Sequence, residues 1–197
     1  MTGEILVGLP TLIWFVTMVY AGQAWLRAED AEQRAIVFKR LFSVWFLYCI
    51  PIHGHGLIPM IRAEQMSNMA AYPDMYFGAY PDYCQADPRY CAQNALVMTL
   101  QGGTALFTGP LCAISAWGMF KDRPWRYLVG SMTAAIQGFG TLLFFLELTH
   151  GSTAIPTDNA FDFYFAFLFM NSMWLVFPIL FIAAALRQLS PDRAVAA

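Results

Sequence analysis

Five stretches of this chain are long and apolar enough to cross a bilayer as helices: Ile5–Leu26, Phe42–Ile61, Asn94–Phe120, Tyr127–Leu148 and Phe161–Leu186. Crossing a ~30 Å hydrocarbon core takes about 20 helical residues. Of all the Asp, Glu, Lys and Arg, only Glu147 and Asp162 fall inside these stretches. The runs lack the period-2 alternation of barrel strands. The expected fold is therefore all-α: one integral membrane domain over 1–197, a bundle of five transmembrane helices. The first stretch follows Met1-Thr2-Gly3-Glu4, with no positive n-region, and is expected to be a permanent span rather than a signal peptide.

Composition agrees with lipid as the solvent. Charged residues make up 12% of the chain and mean hydropathy is +0.50, against about 25% charged in soluble domains. A net charge of −2 offers no basic face for nucleic acid.

The cations set an expected orientation. Arg27, Arg34, Lys39 and Arg40 follow the first stretch, Lys121, Arg123 and Arg126 follow the third, and Arg187 and Arg193 follow the fifth. With five spans these nine share one side, leaving Arg62 and Arg89 on the other. The positive-inside rule then places the N-terminus outside and the C-terminus in the cytoplasm. The membrane would be a bacterial inner membrane or the endoplasmic reticulum. The segment from Arg62 to Gln93 is the only long connection; its tyrosines predict an ordered outer cap. Cys84 and Cys91 lie in it, on the oxidising side, and are expected to form a disulfide. Cys49 and Cys112 lie within spans and read as small apolar fillers. No Cys/His spacing resembles a zinc site, and no metal or cofactor is expected.

Polar groups inside spans are costly and so are candidates for function. The second stretch carries His53 and His55, the third Gln101 and Thr104, the fourth Gln137, Thr141 and Glu147, and the fifth Asp162 and Asn171. Most would fall in the outer half of the membrane and could converge on one cavity. Histidine gives and takes protons near neutral pH. The run Phe161–Phe169 could supply an aromatic wall, which stabilises cations. Such a pocket suits carbocation chemistry on an apolar substrate, or binding of a hydrophobic amine.

The segment Phe169-Met170-Asn171-Ser172-Met173-Trp174, with Pro178, resembles the F-M-N-x-x-W-x-x-x-P signature of the emopamil-binding protein family, the sterol Δ8–Δ7 isomerases of the EXPERA superfamily. Trp45-Phe46 with Cys49 and Ile52-His53 resembles that family's second span. Tyr83, Asp87, Arg89 and Tyr90 match the end of its long outer loop, Gly109-Pro110-Leu111 the end of its third span, and Gln137 with Gly140 through Leu146 its fourth. The resemblance covers about 43–189. It implies that a sterol double bond is protonated at one carbon and a different proton is removed, through a carbocation in an aromatic pocket.

Residue by residue, His53 matches the family's acid–base His, Asn171 and Trp174 its span-five pair, and Thr104 its pocket hydroxyl. Trp45, Cys49 and Thr141 are expected beside the substrate. Two family carboxylates are replaced, one by Leu57 and one by Gln101. Gln cannot transfer a proton as a carboxylic acid does. His55, Glu147 and Asp162 are the expected substitutes, with Gln101 orienting the substrate. The expected activity is isomerisation or cyclisation of a sterol or terpenoid. The alternative is a non-catalytic sterol-binding protein like the sigma-2-receptor branch. Expected partners are the hydrophobic substrate, membrane lipid and, as an assembly, a homodimer.

Overall fold

The computed structural model describes residues 2–73, 75, 77, 78, 80–151, 154, 155 and 157–189, with side chains from Leu12 onward apart from those of 82 and 189. Arg193 lies outside the described residues. The described chain is helical and contains no strand. In order come α1 (Thr2–Arg27), α2 (Ala31–Gly54), α3 (Leu57–Ile61), α4 (Ala63–Met66), α5 (Tyr80–Ala86), α6 (Ala95–Gly103), α7 (Gly109–Phe120), α8 (Arg126–Leu146) and α9 (Met170–Leu189). A π-helical stretch, Thr104–Thr108, joins α6 to α7, and a second, Phe161–Phe169, leads into α9.

Four segments are long and apolar enough to cross a membrane: Ala31–Ile61, Ala95–Phe120, Arg126–Thr149 and Phe161–Gln188. Their outward faces carry large apolar side chains such as Leu106, Phe107, Phe139 and Tyr164, which a protein in water would bury. The α1 helix packs on α2 through Trp14, which stacks on Tyr48 at 5.4 Å.

The α2 helix starts earlier than hydropathy alone predicts. Asp30 caps α2 by accepting from the Gln33 N–H at 2.8 Å, and the Gln33 side chain accepts from the Glu29 N–H at 3.0 Å. These bonds satisfy amides that a helix start leaves open. Arg34, Lys39 and Arg40 thus lie on the first turns of α2, not in a loop.

Two apolar clusters hold the bundle. One joins Trp14 of α1 to Phe42, Trp45, Phe46 and Cys49 of α2, Cys112 and Met119 of α7, and Phe177 and Phe181 of α9. The other seats the long connection on the helices: Met66, Phe77, Tyr80 and Tyr90 pack against Val97, Phe144 and Phe167. A Cβ on Gly130 of α8 would run into the Phe181 ring, so glycine is what lets α8 and α9 close on each other. Within the cap, Cys84 and Cys91 form the expected disulfide.

Candidate functional site

The α2 helix contains Pro51 and ends at Gly54; the chain turns through His55 and Gly56 before α3 begins. On an unbroken helix two residues this close would point in nearly opposite directions. Both residues nevertheless line one cavity of about 690 Å³, within the ~300–1,000 Å³ of small-molecule sites. The widened turn at Thr104–Thr108 adds Thr104 to the wall; π-helical turns are frequent at functional sites. Gln101, Thr141, Asp162, Asn171 and Trp174 line the same cavity, with Tyr80, Tyr90, Phe144, Phe165 and Phe167 as its aromatic surfaces.

His53 is buried with its ring centroid 4.9 Å from that of Trp174. Its Nε2 lies 3.0 Å from the Gln137 amide nitrogen. In that orientation the amide donates and the ring carries its proton on Nδ1. Turning the amide over makes the ring the donor. A Gln partner serves either tautomer because it holds a donor and an acceptor. Thr141 fixes this corner by donating to the carbonyls of Gln137 at 2.9 Å and Trp174 at 3.3 Å.

The His55 ring Nδ1 lies 3.0 Å from the Pro51 carbonyl, which can only accept, so Nδ1 carries the proton. Nε2 is buried without a hydrogen-bond partner among the described residues. Gly78, at φ +64°, lies directly above; a Cβ there would come within 2.9 Å of Nε2. That backbone conformation and that approach both demand glycine.

Gln101 sits under the cap tyrosines. Its amide donates to the Tyr90 hydroxyl at 3.2 Å and its oxygen accepts from Tyr80 at 3.3 Å. Burial pushes both phenols up, so they remain protonated. Thr104 donates to the Gln101 carbonyl at 2.9 Å, and Asn171 to that of Phe167 at 2.6 Å. Asp162 accepts from Asn159 at 2.7 Å at the exposed start of the last span.

Three expected site residues lie elsewhere. Trp45 and Cys49 are fully buried one layer behind the wall, Trp45 at 5.0 Å from Trp174, and neither lines the cavity. Glu147 is committed to the scaffold: it accepts from Arg89 at 2.8 Å and from Asn94 at 2.6 Å. Arg89 is wholly buried and also forks onto Asp87 at 2.7 and 2.9 Å, with its guanidinium 4.1 Å from the Phe144 ring centroid. Burial alone would pull its pKa down; the Asp87 and Glu147 carboxylates outweigh that and hold it up. This cluster ties the cap to α8, and Asn94 extends it by capping α6.

Hydropathy reading missed the roles of Gln137 and Arg89. The signals were an amide within an apolar span at Gln137, and Arg89 two residues after Asp87 in the long connection.

The fold and site define a helical membrane protein with a lipophilic cavity that carries two histidines. The sequence model of EXPERA (EXPanded EBP superfamily) matches residues 69–185, and the chain belongs to that family. It is 25% identical to the mouse (Mus musculus) 3-beta-hydroxysteroid-Delta(8),Delta(7)-isomerase over 98% of this chain and 83% of that protein. It is 25% identical to the protoglabretal synthase of Ailanthus altissima over 91% of this chain and 78% of that protein. The isomeliandiol synthase of Melia azedarach is 25% identical over 55% of this chain and 50% of its own length.

Proposed function

We propose that this protein is a membrane-embedded isomerase or cyclase that moves protons at a carbon–carbon double bond or epoxide of a sterol or terpenoid. The observation that carries the reading is His53 at the cavity wall, flanked by the Trp174 ring and backed by Gln137. His53 is the principal acid–base residue. His55, on the same cavity, supplies a second site for proton transfer, and Asp162 serves as an acid at the mouth. Trp174 and the Phe165–Phe167 wall stabilise the cationic intermediate, an effect of about 2 kcal/mol for a desolvated cation over a good ring. Gln101 and Asn171 orient the substrate. Membership of the family and relatives named as isomerases and synthases support this reading over a purely binding role.

In the same reading α1 is a fifth span, the N-terminus is outside, and the cavity lies in the outer half of the bilayer under the cap. The assay is product formation from a panel of sterols and terpenoids by membranes containing the protein, beside binding of the same labelled compounds. His53→Ala is expected to lower turnover by about 10²–10⁴-fold while substrate still binds. Saturable binding with no product from any panel member would instead favour the sigma-2-receptor-like role.

A further inference from the structure

Cys49, His53 and Cys112 are all buried, and their donor atoms lie within 4.8 Å of one another. Cys49 and His53 are one turn apart on the same face of α2. Cys112 comes from α7, which packs along α2; one turn earlier, a Cβ added to Gly109 would lie 3.6 Å from the His53 Cβ. The two thiols lie behind the cavity wall and His53 stands in it, so the trio bridges core and cavity.

Gln137 adds a second observation. Its amide nitrogen is 3.0 Å from His53 Nε2 and 3.5 Å from Cys112 Sγ, while its oxygen, on a side chain 3% exposed, has no hydrogen-bond partner among the described residues. Turning the amide over would aim that orphaned oxygen at the same point as the three donors.

We propose that Cys49, His53 and Cys112 form a site for a soft divalent cation of the zinc type, with the Gln137 oxygen as the nearest fourth donor. Zn–S of about 2.3 Å and Zn–N of about 2.0 Å put tetrahedral donors roughly 3.5–3.8 Å apart, so rotamer adjustment of about 1 Å closes the cluster. Two thiols lose their protons to solvent as the ion binds, and the ion, two thiolates and a neutral imidazole sum to zero charge. A neutral unit is the form a low-dielectric interior accepts. Sulfur and imidazole donors select zinc, cadmium or cobalt over magnesium and calcium. On the reading of His53 as the proton carrier, the bound ion occupies its lone pair and switches proton transfer off.

The test titrates Cd²⁺ and Co²⁺ into the purified full chain in detergent, reading thiolate-to-metal charge-transfer absorption. One equivalent is expected, lost in Cys112→Ser and in Cys49→Ser. Because a serine variant could unfold, zinc protection of the Cys49 and Cys112 thiols from a permeant maleimide is mapped in the wild-type chain by mass spectrometry. Absence of charge-transfer absorption, absorption that survives Cys112→Ser, or alkylation of both thiols undiminished by zinc overturns the site. Zinc inhibition of product formation that vanishes in Cys112→Ser supports the switch. Charge-transfer binding by a chain that makes no product even when metal-free sinks the enzyme reading and leaves the cation site standing.

Discussion

Replacing Arg89 with methionine should be among the most damaging single changes in the molecule. Arg89 is 0% exposed, and its partners Asp87 and Glu147 have side chains only 3% and 10% exposed. The guanidinium supplies both carboxylates and the Phe144 carbonyl, the last at 2.9 Å. Methionine fills the space but leaves two carboxylates without a counter-ion. Breaking a buried pair in this way costs about 3–5 kcal/mol. At about 2–4 °C per kcal/mol for a chain of this size, the unfolding midpoint should fall by roughly 6–20 °C. The free thiols Cys49 and Cys112 are buried and report unfolding, so the assay is thermal ramping in detergent with a thiol-reactive fluorophore. The control is Arg89→Met combined with Asp87→Asn and Glu147→Gln. If the loss is uncompensated charge, neutralising the carboxylates recovers most of it. A single mutant within about 1 kcal/mol of wild type, well below the cost of breaking a buried pair, would refute the reasoning. So would a triple mutant no better than the single.

Three further outcomes follow from the packing. Reduction should add two hydrogens to the intact mass, and Cys84→Ser with Cys91→Ser should cost about 2–3 kcal/mol, the loop-closure value for so short a ring; an unchanged mass contradicts the pairing. Gly130→Val should force α8 off the Phe181 ring and cost about 1–3 kcal/mol, seen as a lower unfolding midpoint; an unchanged midpoint means the helices do not meet there. Asp122 accepts from Lys39 at 2.8 and 2.9 Å, which holds its pKa below the ordinary 3.8. Its contribution is therefore complete above about pH 4 and fades as pH falls through the lowered value. Asp122→Asn keeps a side chain suited to the local φ of +50° and should flatten that acid limb of stability against pH.

Four of the five expected spans were legible as helices long and apolar enough to cross a membrane, because apolar run length reports the lipid solvent directly. Helix limits were less so. Hydropathy marked the start of the uncharged stretch at Phe42, whereas the helix itself starts about three turns earlier at Ala31, where the Asp30–Gln33 cap was the readable sign. The site was legible as a set of residue types and not as an arrangement. His53, His55, Gln101, Asn171 and Trp174 could be named from intramembrane polarity and the family pattern, and the structure puts them around one cavity. Glu147, expected as an acid of the site, instead accepts from Arg89, whose distance in sequence hid that partnership. Cys49 and Cys112 looked like fillers for the same reason: only the packing of α7 on α2 sets their sulfurs beside His53.

Solvent isotope incorporation tests the central claim most directly. Membranes bearing the protein are supplied with candidate sterols and terpenoids in D₂O, and products are read by mass spectrometry and NMR. Proton transfer through His53 predicts a rearranged product with deuterium at the carbon that was protonated, absent in His53→Ala. A rearranged product without solvent deuterium, or deuterium incorporation undiminished in His53→Ala, would contradict it.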